Sequence, residues 1–208
     1  MGKKIMLGCS GILILLLIIA VLAGLYLQNS YNQMVQMEEI VKEKWSQVEN
    51  VYQRRLDLIP NLVSTVKAYA VHEKETLTKV AEARAKAGNS IKISDKILSN
   101  PAAFKKFQDA QSSLNGALSK LMVVVEQYPE LKANENFIVL QSQLEGTENR
   151  ITVERKRFNE AAKNYNVFIK QFPGVIIARI FGFEEKVYFM SDKGADKSPK
   201  VELGGHDT

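Results

Sequence analysis

The sequence has few of the residues that most often carry chemistry. It contains one cysteine, Cys9, and two histidines, His72 and His206. A single cysteine excludes an internal disulfide bond. His72 and Glu73 begin like a zinc-protease helix motif, but Thr76 stands where the second histidine is needed. A glycine-rich phosphate loop and a nucleophile elbow are also missing from the sequence. We therefore predict no catalytic residue, no metal site and no cofactor.

The chain also lacks a large excess of charge of one sign. Its 28 Lys and Arg against 23 Asp and Glu give a net charge of +5, and without Lys3 and Lys4 the remainder carries +3. Proteins that bind nucleic acid usually concentrate a larger basic excess on one surface. We expect no nucleic-acid partner.

Residues that break helices are scarce. Between Asn29 and Ala87, Pro60 is the only proline or glycine. No stretch shows the alternation of apolar and polar residues that is typical of a half-buried strand. These two absences predict an all-α chain.

One long stretch has no charge at all. Ile5 to Leu27 contains 23 uncharged residues, which as a helix would measure about 34 Å and cross a hydrocarbon core of about 30 Å. A cleaved signal peptide is the alternative, but the stretch is longer than the usual apolar region of about 7–15 residues. We predict an uncleaved single-pass anchor in the cytoplasmic membrane. Lys3 and Lys4 precede it, so the positive-inside rule places the following domain outside the cytoplasm, which in a double-membrane bacterium is the periplasm.

Four apolar stripes with helical spacing follow the anchor. They run from Met34 to Ile59, from Leu62 to Ala87, from Phe104 to Tyr128 and from Phe137 to Phe172. Pro60 predicts a kink or a new helix with Pro60 in its first turn, and we favour the new helix. Asn100-Pro101 predicts a helix start, since Asn is a favoured N-cap and Pro a favoured first residue.

These stripes predict a long antiparallel four-helix bundle behind a single transmembrane helix. The domain division is 1–4 (basic N-terminus), 5–27 (anchor), 28–183 (bundle) and 184–208 (flexible tail, mostly disordered after Tyr188-Phe189). The apolar residues 175–183 form either a cap over the bundle or a segment in a membrane interface. We favour the cap, because Arg179 is their only cation. The last stripe is strictly heptad, which favours coiled-coil packing either within the chain or in a homo-oligomer.

Four charged residues fall on or near the apolar stripes: Arg55, Glu73, Arg84 and Glu154. One hypothesis is that they meet inside the bundle as a structural polar network that fixes helix register or partner choice. The alternative is that each helix turns enough for its charge to reach water. Asn159 and Asn166 each follow an aromatic residue of the last stripe, and we interpret them as amides that bond between helices rather than as a ligand site.

Several long motifs resemble those of a known protein family. WSQVEN at Trp45, QRRLDLIPNLV from Gln53, VKAYAVHE from Val66, YPELKANENF from Tyr128 and FPGVIIARIFGF ending at Phe183 resemble the LemA family of bacterial membrane proteins. The resemblance covers the chain from the anchor to Phe189. It implies a membrane-anchored helical domain and no known activity.

Two functions are compatible with these observations. The first is a non-enzymatic scaffold or protein-interaction module of the bacterial cell envelope. Its partners would be the lipid bilayer, further copies of the chain, or an unknown membrane or envelope protein. The alternative is an accessory subunit or hydrolase that uses a polar cluster in the bundle core, as some helical metal proteins do. No Glu-x-x-His pair is present in the sequence, which favours the first.

Overall fold

The computed structural model describes residues 2–91 and 95–190. Its helices are α1 (Gly2–Tyr69), α2 (Lys74–Ile91), α3 (Pro101–Val125), α4 (Pro129–Lys132), α5 (Glu135–Lys170) and α6 (Gly174–Phe181). A 3₁₀ turn, Asp95–Ser99, precedes α3, and an extended segment follows α6. These residues include no strand, which confirms the all-α prediction.

Residues 12–27 of α1 are apolar and are not packed against the rest of the chain. The side chains from Ile12 to Leu27 are all exposed. An uncovered apolar helix of this length is a candidate membrane span. The prediction of a single apolar N-terminal helix is therefore confirmed.

The apolar part and the first bundle helix are one continuous helix. α1 passes through Pro60 and ends at Tyr69, so the predicted new helix at Pro60 is wrong. The chain turns instead between Ala70 and Glu73, and α2 follows. Proline has no N–H and cannot donate to the carbonyl four residues earlier, which here belongs to Leu56. The continuous helix must therefore satisfy the Leu56 carbonyl in another way.

Arg84 of α2 supplies the missing donor. Its Nε donates to the Leu56 carbonyl at 2.8 Å. A side chain from a neighbouring helix thus replaces the backbone hydrogen bond that Pro60 cannot make. Pro60 itself is exposed, so the core does not have to accommodate its ring. The position of the helix break depends on a contact between residues 28 positions apart.

Replacing Arg84 by Met is expected to lower the free energy of unfolding by about 1–2 kcal/mol, because the Leu56 carbonyl loses its donor. In a Pro60→Ala background the same change is expected to cost less than about 0.5 kcal/mol, because the N–H of residue 60 can then bond Leu56. The measurement is chemical unfolding in mild detergent, followed by the fluorescence of Trp45, the only tryptophan. Equal costs in the two backgrounds would contradict this role of Arg84.

The helices pack in antiparallel pairs, α1 along α5 and α2 along α3. Their shared core has an aromatic half nearer the apolar end of α1, in which Trp45 contacts Phe104, Phe107 and Phe158. The half farther from that end is mainly aliphatic and contains, among others, Ile59, Leu62, Val66, Val80, Leu114, Leu121 and Leu131.

The short α2 contributes buried side chains almost only to the aliphatic half. In the aromatic half, Ile97 and Leu98 of the 3₁₀ turn and Phe189 occupy the remaining side of the core. Residues 184–190, here called the C-terminal segment, are extended and packed against the bundle. The predicted flexible tail therefore does not begin at residue 184; its remainder, 191–208, lies outside the described residues.

The start of α3 follows the predicted signal, and α5 starts in the same way. Asn100 Oδ1 accepts hydrogen bonds from the backbone N–H groups of Ala102 and Ala103, and Asn134 Oδ1 accepts one from that of Phe137. Both are N-caps that satisfy donors which the first helical turn leaves free.

The end of α5 departs from the strict heptad stripe. Ala162 and Ile169 are buried, where the heptad places Ala161 and Phe168. A straight α-helix drifts about 20° per heptad, so the buried side moves by one residue along a helix of this length. Phe172, predicted as the last core residue, is 82% exposed because α5 ends at Lys170.

Candidate functional site

A buried arginine lies where the two halves of the core meet. The Arg55 side chain is 2% exposed, and its guanidinium reaches from α1 to α3 and α5. Nη1 donates to Asn115 Oδ1 and, at 3.0 Å, to Glu148 Oε2, and Nη2 donates to Gln111 Oε1. The Tyr52 ring lies 5.0 Å from Cζ. Arg55 thus joins three helices through charge-assisted hydrogen bonds.

Gln111 extends this cluster to the fourth long helix. Its side chain is buried, and Nε2 donates to the Ala87 carbonyl and to Ser90 Oγ of α2, both at 3.5 Å. One connected set of polar groups therefore links α1, α2, α3 and α5. Gln111 already stood on the predicted α3 stripe, so a polar residue at a core position was the available signal for this partner.

The structure does not bring the four predicted charges into one network. Arg84 lies on α2 one helical turn before Ala87, which belongs to the Arg55 cluster. Its Nε donates to the Leu56 carbonyl. Glu73 lies in the turn after α1, where it accepts a hydrogen bond from the Tyr128 hydroxyl at 3.4 Å. Burial, and then the Glu73 charge, raise the pKa of Tyr128. Glu154 pairs with the exposed Arg157 on the same helix. Among the four, only Arg55 has side-chain partners on other long helices in the described hydrogen bonds.

The chemistry available to the Arg55 cluster is limited. It contains one carboxylate, Glu148, whose side chain is 47% exposed, together with two amides and a permanently charged guanidinium. Within residues 2–91 and 95–190, no group of three or more His, Cys, Asp or Glu side chains is arranged to hold a metal ion. The arrangement can fix the register of the helices, since each acceptor comes from a different position on α3 or α5.

Two asparagines of α5 hold the C-terminal segment by its backbone. Asn166 Nδ2 donates to the Lys186 carbonyl and Oδ1 accepts from the Lys186 N–H, at 2.7 and 2.8 Å. Asn159 makes the same pair with Phe189, at 3.0 and 2.9 Å. Seven helical residues span about 10.5 Å and three extended residues about 10 Å, so the two spacings match. The amides do bond outside their own helix, but to an extended segment, which the sequence interpretation missed.

Lys186 anchors the same segment to α1. Its Nζ lies 2.6 Å from Glu38 Oε1, and its side chain is 7% exposed. The ammonium also lies 5.3 Å from the centre of the Tyr165 ring. Burial, with Glu38 and Glu184 nearby, raises the pKa of Tyr165, so its hydroxyl stays neutral. The polar groups here are used to attach the segment.

A groove of about 1180 Å³ runs between α3 and the C-terminal segment. Its lining includes Phe104, Lys105, Asp109, Tyr188 and Met190. Small-molecule pockets usually measure about 300–1,000 Å³. The groove is larger than such pockets, and one of its walls is the C-terminal segment.

The sequence matches the model of a known protein family. A family model described as the LemA family matches residues 44–203. The chain belongs to the LemA family. The match includes Arg55, Arg84, both asparagines and the C-terminal segment, and the resemblance inferred from the sequence is confirmed.

Curated relatives align over most of this LemA-family chain. It is 31% identical over 186 residues to magnetosome protein MamQ of Magnetospirillum gryphiswaldense, covering 82% of the chain and 68% of MamQ. It is 29% identical over 194 residues to magnetosome protein MamQ 2 of Paramagnetospirillum magneticum, covering 86% and 71%. It is 25% identical over 141 residues to protein LemA of Metamycoplasma hominis, covering 68% and 60%.

Proposed function

We propose that the chain is a non-enzymatic scaffold or protein-interaction module of the bacterial cell envelope, held at the cytoplasmic membrane by α1. The observation that carries this proposal is the continuity of α1 from Gly2 to Tyr69. At about 1.5 Å per residue this helix is about 100 Å long, with the bundle built along its second part. A rigid link between span and bundle suits a protein that presents a surface at a fixed distance from a membrane.

The use of the buried polar groups supports a structural role. Arg55, Gln111, Asn166 and Lys186 are buried, and each binds another element of the bundle. A hydrolase or an enzyme accessory subunit would need a carboxylate or imidazole set directed at a substrate, and the Arg55 cluster offers one half-exposed carboxylate. The scaffold is therefore the better-supported function.

The relatives bear on where such a scaffold works. Some are named magnetosome proteins and one is named LemA. We infer that the anchored bundle, which they share with this chain, performs a function common to different membranes. Lys3 and Lys4 ahead of the span favour a bundle in the periplasm. Protease treatment of spheroplasts tests this orientation. If the bundle is protected from the protease until the cells are lysed, it lies in the cytoplasm.

The groove beside α3 is the proposed surface for a partner copy or an envelope protein. The test is extraction of the tagged full chain in mild detergent, with measurement of its mass and identification of co-purifying proteins. Ser112→Arg on the groove wall is expected to reduce the complex, whereas Ser119→Arg, an exposed serine of the same helix, is not. A wild-type monomer that binds no protein and carries a transition metal would overturn the scaffold proposal.

A further inference from the structure

The short helix α6 packs against α1 just after the apolar stretch ends. The Tyr31 ring of α1 lies 4.9 Å from the Phe181 ring and 5.6 Å from the Phe183 ring, measured between ring centres. On the other side of α6, Ile177 and Ala178 are buried in the aromatic half of the core. α6 therefore lies at the end of the bundle that is nearer the apolar stretch.

A glycine lets α6 approach this closely. A Cβ on Gly174 would lie 2.7 Å from the Phe168 carbonyl oxygen and 3.4 Å from Met34 Cε. The first distance is shorter than real Cβ contacts, so another residue at 174 would push α6 away from α5 and α1. The position of α6 relative to α1 is therefore set by packing and not by the length of its connection.

The distance from α6 to the apolar stretch is short. Tyr31 is four residues beyond Leu27 on one continuous helix, which is about 6 Å along its axis. The interfacial layer on each side of a hydrocarbon core is also about 5–8 Å thick. Tyr26 and Tyr31 stand at the two edges of this interval, as tyrosines at membrane interfaces do. If the apolar stretch spans a bilayer, α6 lies at its surface.

The face of α6 that points away from the bundle is apolar. Ile176, Ile180 and Phe181 are 50%, 68% and 55% exposed, and Phe172 before the helix is 82% exposed. Ile176 and Ile180 are four residues apart on α6 and share one side. α6 contains no acidic residue and one cation, the exposed Arg179. Val71 and Val123, at the other end of the bundle, are also exposed, and scattered exposed apolar side chains are usual on a protein surface.

We propose that α6 inserts the face formed by Ile176 and Ile180 into the interface of the bilayer that α1 spans. This second membrane contact fixes the tilt of the bundle relative to the membrane. The inference rests on the proposed anchoring by α1. It chooses lipid over a second copy of the chain because α6 packs on α1 at Tyr31, about 6 Å beyond the apolar stretch, which is within the thickness of the interfacial layer. An amphipathic segment in this position lies in the interface plane.

The experiment compares three depths with one environment-sensitive fluorophore. Single cysteines replace Leu17 in the apolar stretch, Ile180 in α6 or Val71 beyond α1, in a full chain whose Cys9 is replaced by alanine. The labelled proteins are reconstituted in nanodiscs of phosphatidylcholine and phosphatidylglycerol. Quenching by lipids that carry a doxyl group near the glycerol, or near the end of the acyl chain for the label at 17, is compared with quenching by aqueous iodide. All three side chains are at least 65% exposed, so labelling disturbs little packing.

The label at residue 180 is expected to be quenched several-fold more by the doxyl lipid than the label at 71, and several-fold less by iodide. Iodide quenching at 180 equal to that at 71 would overturn the inference. So would protection from both quenchers, which would mean that a second copy covers α6. The label at 17 separates the two proposals. Lipid quenching at 17 without lipid quenching at 180 would overturn only the proposed membrane contact of α6. No lipid quenching at 17 would overturn the proposed anchoring by α1. Ile176→Cys repeats the test at a second position on the same face.

Discussion

Replacing Arg55 by alanine is expected to lower the free energy of unfolding by about 3–5 kcal/mol, the usual cost of removing one partner from a buried charge cluster. Glu148 can turn to water, but the buried Gln111 loses the donor to its Oε1. An unsatisfied buried acceptor costs about 1–3 kcal/mol, and the cavity left by the arginine stem adds to this cost. The measurement is urea unfolding of the full chain in mild detergent, followed by Trp45 fluorescence.

Arg54 provides the matched control, because it is the adjacent residue with the same chemistry and is exposed. Arg54→Ala is expected to change the free energy of unfolding by less than about 0.5 kcal/mol. A double variant, Arg55→Met with Gln111→Leu, is expected to be more stable than Arg55→Ala, because the buried acceptor Gln111 Oε1 is then absent and the acceptors on Asn115 and Glu148 can bond water. A loss below about 0.5 kcal/mol for Arg55→Ala would contradict a structural role for the cluster.

Local signals predicted most of the helical architecture. The apolar stretch, the Asn100 cap and the starts of α3 and α5 depend on side chains within one or two turns, so sequence spacing is enough to find them. The break between α1 and α2 could not be found in this way. Pro60 is a helix breaker unless a distant side chain replaces its hydrogen bond, and Arg84 does so from another helix.

The polar cluster was predictable only in part. Arg55 was identified because it lies close to an apolar stripe, yet its acceptors are Gln111, Asn115 and Glu148 rather than the other predicted charges. Helical periodicity gives the direction in which a side chain points from its own axis. It does not give the height at which two helices meet. Charges on one face of different helices can therefore lie at different levels, as Glu73 and Glu154 do.

Composition misled the interpretation of the C-terminal segment. Polar and charged residues after Phe183 are typical of a flexible tail. Phe189, however, lies among the rings of Trp45, Phe104, Phe107 and Phe158, and is 6% exposed. The segment is held partly by the side chains of Lys186 and Phe189 and partly by backbone hydrogen bonds to Asn159 and Asn166. The backbone hydrogen bonds place no demand on the segment's residue types, so this part of its attachment leaves no signal in its sequence.

Phe189→Ala is accordingly expected to lower the free energy of unfolding by about 3 kcal/mol, within the usual range for a buried aromatic residue replaced by alanine. The ring contacts both α3 and α5, so its loss opens the side of the core that α2 leaves uncovered. Trp45 packs directly on this ring, with ring centres 6.1 Å apart. Its emission in the folded protein is therefore expected to shift to longer wavelength, which reports the opening independently of stability.

Met190 provides the control for this prediction, because it is the next residue and its side chain is 75% exposed. Met190→Ala is expected to change stability by less than about 0.5 kcal/mol and to leave the Trp45 emission unchanged. Hydrogen exchange at the Lys186 and Phe189 amides, both of which donate to asparagine side chains, should accelerate in Phe189→Ala and not in Met190→Ala. If Phe189→Ala behaves like Met190→Ala in all three measurements, the segment is the flexible tail that composition predicts, and the aromatic core is complete without it.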